Sequence, residues 1–210
     1  MAEIEYFYAA YSSYTYLGSR RLIEIARAAG RTIVHRPVDL DRVLEGAGST
    51  GFRERSLAFR NYFFRREVQR WAELRGLPTL GRRPTHHGPS PNLANRVLIA
   101  AATQGHCIDE LAHHFLESHW ARDANLYDAA TLERLAGDQG LDGAELLEQA
   151  DSDAIRERLE ANTREAIERS VFGAPTYFVD GDMFYGQDRL DLVERALLEP
   201  FADTWPRTEA

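Results

Sequence analysis

The sequence predicts an α/β fold in which a long helical stretch interrupts a small unit of strands and helices. Strand patterns lie near the two ends of the 210-residue chain, at 3–8 and 32–36 and again at 176–185. Helical patterns fill residues 39–170 between them. The expected order is β-α-β over 1–38, a helical insertion over 39–170, and β-β-α over 171–210.

Three patterns define the N-terminal unit. An apolar-rich run at 3–8 is typical of a strand, and an apolar stripe over 15–29 predicts a helix that stops at Gly30. Residues 32–36 predict a second strand, which Pro37 closes. Together these elements make a β-α-β unit.

The insertion and the C-terminal unit follow in order. One helix is expected over 53–75, ended by Gly76-Leu77-Pro78, and a loop rich in Pro, Gly and His covers 78–91. Asp142 followed by Glu145 is typical of a helix start. Further helices are expected at 92–104, 107–121, 128–137, 143–150 and 152–170. A hairpin turning at Asp180-Gly181-Asp182 and a helix at 190–198 complete the chain.

Composition excludes several classes of function. The net charge of −8 argues against a nucleic-acid surface, which needs clustered excess Arg and Lys. All 25 basic residues are arginine, so Schiff-base and P-loop lysine chemistry are excluded. There is no apolar run of about 18 residues to span a membrane and no signal-peptide pattern. We therefore expect a cytoplasmic protein with neither a nucleic-acid nor a membrane partner.

Cysteine and histidine predict neither a redox centre nor a metal centre. The single Cys107 cannot form an internal disulfide or a thiolate cluster, and we expect it to be a small buried residue. The histidines at 86–87, 113–114 and 119 lack the i,i+4 spacing of a zinc helix. We expect no metal site.

Two short segments at opposite ends of the chain carry the candidate site. Near the N-terminus, Tyr11-Ser12-Ser13-Tyr14-Thr15-Tyr16-Leu17 places serines at a predicted helix start. Near the C-terminus, Phe172-Gly173-Ala174-Pro175-Thr176 leads into a predicted strand. The pair resembles the two halves of a thioredoxin-type active site, where a reactive group at a helix start faces a cis-proline loop. Ser12 stands where a redox cysteine would stand, which favours binding of another molecule's thiol over disulfide exchange.

On these residues the chain resembles the 2-hydroxychromene-2-carboxylate isomerases and the related kappa-class glutathione transferases of the disulfide-oxidoreductase superfamily. The sharpest matches are residues 158–163, Phe-Gly-Ala-Pro-Thr at 172–176 and Gly-Gln-Asp-Arg-Leu at 186–190. The N-terminal segment departs from the family's Ser-Pro-aromatic-Ser-Tyr-Leu with Ser13 for the proline and Thr15 for the second serine. The resemblance implies a thioredoxin-like fold interrupted by a large all-helical insertion domain, and a homodimer.

The resemblance implies that Ser12 is catalytic. Its hydroxyl would hydrogen-bond the sulfur of bound glutathione, or of another low-molecular-weight thiol, and favour the thiolate. Unpaired N–H groups and the positive dipole end of a helix N-terminus would lower the thiol pKa in the same direction. The alternative for these serines is ordinary helix capping. We assign Ser12 to the thiol and expect Ser13 to cap.

The resemblance also implies where the rest of glutathione binds. Ala174-Pro175 would carry a cis peptide bond and pair with the cysteinyl part, whereas the alternative is a trans proline opening an edge strand. The γ-glutamyl end would be held by Gln187, Asp188 and Arg189. The alternative is that Asp188 only caps the last helix and that Arg189 is a solvated charge.

We expect the insertion to supply the substrate wall. Tyr14, Asn61 and Arg65 are the candidate contacts to an aromatic small-molecule substrate, with Arg65 or its neighbour Arg66 pairing a carboxylate. Most of the aromatic side chains of 61–71 are expected to be core. Residues 51–53 lack the lysine that many relatives carry before this helix.

The function implied by the resemblance is a glutathione-dependent isomerase. The thiolate would add to an activated double bond of an aromatic enol or keto-acid, and rotation and elimination would return the thiol. The alternatives are a kappa-like glutathione transferase or peroxidase and a non-catalytic thioredoxin-fold binding protein. Dithiol–disulfide exchange is excluded because Ser12-Ser13-Tyr14-Thr15 contains no cysteine.

Overall fold

A computed structural model describes residues 3–49 and 54–205 and places a four-stranded mixed sheet at the centre of the molecule. The strands are β1 (Glu3–Tyr8), β2 (Thr32–Pro37), β3 (Thr176–Val179) and β4 (Asp182–Tyr185), in the order β2-β1-β3-β4. β1 is parallel to β2 and antiparallel to β3, which is antiparallel to β4. Both ends of the chain therefore build one sheet, as the sequence predicts.

Helices fill the chain between β2 and β3, and among the described residues of this insertion there is no strand. α1 (Ser13–Ala28) connects β1 to β2, and α10 (Leu190–Leu198) follows β4. The insertion comprises α2 (Leu40–Gly46), α3 (Leu57–Asn61), a π-helical stretch (Tyr62–Glu67), α4 (Val68–Arg75), α5 (Asn92–Thr103), α6 (Asp109–Arg122), α7 (Ala129–Gly137), α8 (Gly143–Ala150) and α9 (Asp153–Glu168). The architecture is a thioredoxin-like fold interrupted by helices.

Short polar side chains determine where most of these helices begin. In each case a Ser or Asp oxygen accepts a hydrogen bond from the main-chain N–H three residues further on, which satisfies a donor that the helix leaves unpaired. The predicted start at Asp142 is confirmed, since its carboxylate accepts from the Glu145 N–H at 3.0 Å. The capping residues are Ser12, Asp39, Ser56, Asp128, Asp142 and Ser152.

A single apolar core joins the sheet to the insertion. The ring of Tyr6 stacks between those of Tyr8 and Tyr177, with centroids 4.3 and 5.4 Å away, and all three side chains are buried. A contiguous buried cluster runs from these rings to apolar side chains of α5, α6, α7, α8, α9 and α10. Because of this shared core, helices α5 to α10 are fixed relative to the sheet, whereas α4 packs on α1 through a separate small cluster of Leu17, Val68 and Ala72.

The insertion differs from the sequence prediction in three places. The helix predicted over 53–75 consists of α3, the π-helical stretch and α4, and its first residue lies outside the described part of the chain. The helix predicted to begin at Cys107 begins at Asp109, where acidic residues favour a helix N-terminus. Cys107 is exposed in the turn before it, so the prediction that it is buried is wrong. The short helix α2 was not predicted.

Candidate active site

Ser12 lies between the end of β1 and the start of α1. Its Oγ accepts a hydrogen bond from the Thr15 N–H at 3.3 Å and donates to the Ala174 carbonyl at 3.4 Å. The residue is 8% exposed. Ser12 is therefore the N-cap of α1, and the prediction that Ser13 caps is wrong because Ser13 already has helical conformation as the first residue of the helix.

The insertion holds the turn that presents Ser12. Asn95 of α5 accepts from the Ala10 N–H at 3.0 Å and donates to the Val38 carbonyl at 2.9 Å, and it is fully buried. Trp120 of α6 donates its indole N–H to the Tyr11 carbonyl at 2.9 Å. Sequence reasoning missed both contacts, since 85 and 109 residues separate the partners.

The proline loop lies opposite the start of α1. The Ala174–Pro175 peptide bond is cis, as the sequence predicts. The Pro175 carbonyl accepts from the Gly186 N–H at 2.9 Å, which brings the end of β4 to the start of β3. Gly186 has φ 105°, and a Cβ there would lie 2.5 Å from an oxygen of Asp188, so this position requires glycine. Two predicted parts of the site, Ser12 and Ala174, are thus in contact.

The segment predicted to hold the γ-glutamyl end forms a 3₁₀ turn, Gln187–Arg189. Gln187 is 2% exposed, its side chain packs on α1 and its carbonyl accepts from Arg75 at 3.0 Å, so the residue is part of the packed interior. Asp188 and Arg189 are exposed and form an ion pair with each other. The carboxylate of Asp188 makes no capping hydrogen bond to this turn or to α10, so the capping alternative is not realised.

Tyr14 connects α1 to the π-helical stretch. Its hydroxyl donates to the Phe63 carbonyl at 2.7 Å, and its ring lies 6.3 and 6.5 Å from those of Phe63 and Phe64. Burial raises the pKa of the Tyr14 phenol above its ordinary value, and the nearby carboxylate of Glu67 adds to this. The phenol therefore remains a neutral donor at physiological pH.

The π-helical stretch is a surface element. Tyr62, Phe63 and Phe64 are 51%, 42% and 37% exposed, so the prediction that these rings are core is wrong. The cause is the position of the stretch on the outer side of α1, where Tyr14 covers only one face of it. Asn61 and Arg65 are also exposed, and in the described part of the chain no contact joins either of them to Ser12 or Ala174.

Tyr185 at the end of β4 is a site residue that sequence reasoning missed. Its ring lies 5.9 Å from that of Phe172, and a Cβ on Gly173 would meet its hydroxyl at 3.1 Å. Burial raises the pKa of the Tyr185 phenol, and the nearby Arg55 opposes this. Tyr185 therefore flanks the proline loop, and its signal in the sequence is its place directly before Gly186.

Some of the residues that carry the family resemblance support the fold and do not line the candidate site. Asn162 donates to the Pro37 carbonyl at 3.1 Å, and the Thr163 hydroxyl accepts from the Asp39 N–H at 3.0 Å. Both side chains lie in the matching segment 158–163 of α9. They fix the exit of β2 beside the site and do not contact Ser12.

A pair of histidines lies behind the Ser12 turn. His119 Nδ1 is 2.9 Å from the Ala124 carbonyl, so that nitrogen carries the proton and Nε2 accepts from His87 Nδ1 at 2.8 Å. Burial, with His119 close by, lowers the pKa of His87 to about 3. The ring of His87 packs on that of Tyr11 at 5.2 Å. The pair is neutral at physiological pH and buttresses the turn.

The described residues show neither a metal-binding cluster nor a membrane-spanning helix. Within residues 3–49 and 54–205 there is no group of three or more His, Cys, Asp and Glu side chains that could hold a metal ion. In the same part of the chain, none of the helices combines the length and the apolar character needed to cross a membrane.

Comparison with known proteins places this site in a family. A model of the DSBA-like thioredoxin domain matches residues 3–198. The 2-hydroxychromene-2-carboxylate isomerase of Pseudomonas sp. (strain C18) is 30% identical over 194 residues, 92% of this chain and 89% of that protein. The isomerase of the same name from Sphingobium xenophagum is 29% identical over 196 residues, 93% of this chain and 98% of that protein.

Solved structures agree. A 2-hydroxychromene-2-carboxylate isomerase structure is similar with a TM-score of 0.80 and 27% identity, covering 92% of this chain and 93% of that one. A probable DsbA oxidoreductase from Streptomyces coelicolor shares the fold, with a TM-score of 0.77, 22% identity and coverage of 100% and 94%. Fold and family model thus define a protein with a DSBA-like thioredoxin domain. Within that class, the chain belongs to the family of the 2-hydroxychromene-2-carboxylate isomerases.

Proposed function

We propose that this protein is a glutathione-dependent isomerase of an aromatic enol or keto-acid related to 2-hydroxychromene-2-carboxylate. The observation that carries the proposal is the contact of the Ser12 hydroxyl, at the start of α1, with the Ala174 carbonyl of the cis-proline loop. The names of the similar curated proteins support the reaction class.

The start of α1 fits a thiolate. The N–H groups of Ser13 and Tyr14 have no hydrogen-bond partner among the described residues. A 16-residue helix directs the positive end of its dipole to the same point. The Ser12 hydroxyl is able to rotate from the Ala174 carbonyl and donate to a sulfur anion instead. These donors stabilise the ionised thiol over the neutral one.

The remainder of the thiol would be held by two further parts of the site. The main chain of Ala174 would pair with the cysteinyl unit, and the Asp188 carboxylate would receive the γ-glutamyl ammonium. Gln187 is 2% exposed, so it would support the turn that carries Asp188 from within, and the exposed Arg189 would attract a carboxylate. Glutathione, when bound, supplies the thiolate that adds reversibly to the double bond of the substrate.

The aromatic substrate would bind against the wall formed by Tyr14 and the π-helical stretch. Phe59 stacks on one face of Phe63 with ring centres 4.8 Å apart, and the exposed parts of Phe63 and Phe64 would contact a further ring. Arg65, and Asn61 one turn before it, lie on the same exposed element and are placed to meet polar groups of the substrate. The small-molecule partner and the homodimer stay predictions, as does the cytoplasmic location.

Turnover of 2-hydroxychromene-2-carboxylate with and without glutathione tests the proposal. We expect isomerisation only with glutathione, and a loss of about 10- to 100-fold in Ser12→Ala, the worth of one hydrogen bond to a charged group. Ser152→Ala is the matched control, because it removes the same kind of helix cap from α9. Turnover that is equal without glutathione, or equal in Ser12→Ala, would contradict the proposal.

A further inference from the structure

Arg75 ties together three elements around the predicted γ-glutamyl segment. It is the last residue of α4 and is half-buried. Its Nη1 donates to the Leu17 carbonyl of α1 at 2.7 Å, and its Nη2 donates to the Gln187 carbonyl at 3.0 Å. One guanidinium therefore connects the helix that begins at Ser12 with the turn that contains Asp188.

The chemistry of the contact needs arginine. A guanidinium offers several donors in a rigid plane, so it reaches two carbonyl oxygens at once, whereas a lysine ammonium is a point donor on a flexible chain. The guanidinium of Arg75 also lies 5.2 Å from the centre of the Trp71 ring, which holds its plane in place. The Arg75 side chain is thus held in one orientation between α1 and the turn at 187–189.

The surfaces that Arg75 joins are already in close contact. A Cβ on Gly18 would lie 2.9 Å from the Gln187 Cβ and 2.9 Å from the Tyr177 hydroxyl. Gly18 lets α1 approach the turn at 187–189, but glycine has no side chain that could form an attractive contact with it. The hydrogen bond from Arg75 to the Gln187 carbonyl supplies one at the residue directly before Asp188.

We infer that Arg75 is a positioning residue for the thiol cofactor: it holds the Gln187 carbonyl against α1, so that Asp188 receives the γ-glutamyl ammonium at a set distance from Ser12. The inference rests on the proposed function for the identity of the ligand. It adds a residue of the helical insertion to the binding of the cofactor, 112 residues from the segment it positions.

Calorimetric titration with two thiols tests this role. Glutathione carries the γ-glutamyl unit, and cysteinylglycine lacks it. In Arg75→Met we expect glutathione to bind about tenfold more weakly and cysteinylglycine to bind within about twofold of wild type, because only the first ligand uses Asp188. Arg75→Lys should show a smaller loss in the same direction. Arg70→Met, which removes an exposed arginine from the same helix, is the control and should match wild type.

Each other outcome overturns the inference. Equal weakening of both thiols would make Arg75 a general structural residue, and no weakening of either would remove its role. If Arg75→Met does not fold, Arg75→Lys decides by the same comparison between the two thiols. If the wild-type protein does not bind glutathione, the proposed function is wrong and the inference fails with it. That result is obtained before any variant is compared, so the two failures are distinguishable.

Discussion

The two sides of the candidate site are built in opposite ways. We call the start of α1, the proline loop and the turn at 187–189 the thiol side, because the proposed thiol would bind there. Ser12 and Gln187 on this side are 8% and 2% exposed. Hydrogen bonds from Asn95, Trp120 and Arg75 hold the main chain around them. On the aromatic side, formed by Tyr14 and the π-helical stretch, the stretch's rings are 37–51% exposed, and Tyr14 of α1 contacts the stretch through its hydroxyl and its ring.

This difference separates two tasks. A constant ligand such as a thiol cofactor is best met by groups whose positions the fold has already set. Exposed rings at the surface can change without disturbing the core, so we expect this side to select the substrate. We expect substitutions on the thiol side to cost stability and those on the aromatic side to alter substrate binding alone.

The largest expected effect is acid destabilisation of the thiol side. His113 is 5% exposed, and its Nδ1 shares a 2.8 Å hydrogen bond with Ser19 of α1. Burial, with Arg20 nearby, lowers the pKa of His113 to about 4. His113 takes up a proton more readily in the unfolded chain than in the native one. The stability that the neutral His113 contributes is therefore complete above about pH 6.5 and is lost as the pH falls towards 4. The loss is about 3 kcal/mol for one buried histidine.

Urea unfolding at about pH 7 and about pH 4 measures that loss. His113→Asn, which cannot take up a proton, should lose less stability across the same interval. Identical pH dependence in the two proteins would show that His113 titrates normally in the native state. The π-helical stretch contains no histidine, so it does not contribute to this effect.

Next in size is the close packing of α1 on the γ-glutamyl segment. Gly18→Ala would bring a Cβ within 2.9 Å of Gln187 and Tyr177, and we expect the free energy of unfolding to fall by about 1–3 kcal/mol. Gly137→Ala is the control, since nothing lies within 4 Å of a Cβ there. A Gly18→Ala protein as stable as wild type would mean that the segment moves freely, contrary to its proposed role.

A smaller loss is expected at Ser12 itself. Ser12→Ala removes the cap of α1 and should lower the free energy of unfolding by about 1 kcal/mol. Ser152→Ala should lower it by a similar amount. The two variants would then match in thermal denaturation and differ only in thiol chemistry. A much larger loss in Ser12→Ala would show that its contact with Ala174 is chiefly structural.

The smallest effect on stability is expected on the aromatic side. Phe63→Ala should leave the free energy of unfolding within about 0.5 kcal/mol of wild type, because the ring is 42% exposed and its carbonyl still accepts from Tyr14. The KM for an aromatic substrate should nevertheless rise. Leu74→Ala, at a position 75% exposed on α4, is expected to change neither quantity. Unchanged KM in Phe63→Ala would remove the aromatic wall from substrate binding.

Local signals made the thiol side partly predictable. The serines at 12 and 13 predict that α1 begins there, because serine is a common helix cap. The short motif Phe-Gly-Ala-Pro-Thr predicts the cis-proline loop at Pro175. The choice between Ser12 and Ser13 as cap was wrong, since both satisfy the same local rule and only the φ and ψ of Ser12 decide. The hydrogen bonds that support this side could not be predicted, because Asn95, Trp120 and Arg75 act across 57 residues or more.

The aromatic side was harder to predict. Apolar periodicity treats Phe63 and Phe64 as a core stripe, but a π-helical stretch does not keep the α-helical period, and its rings stay at the surface. The prediction for Asn61 and Arg65 remains a prediction, and residues 51–53, where the resemblance leads us to expect a lysine, lie outside the described part of the chain.

The most direct test of the central claim is the pKa of bound glutathione, measured from thiolate absorbance across a pH titration of wild type and Ser12→Ala. We predict that wild type lowers this pKa well below that of free glutathione, and that Ser12→Ala still binds glutathione but gives up much of the lowering. A wild-type complex whose thiol titrates like free glutathione, or a Ser12→Ala complex identical to wild type, would contradict the account.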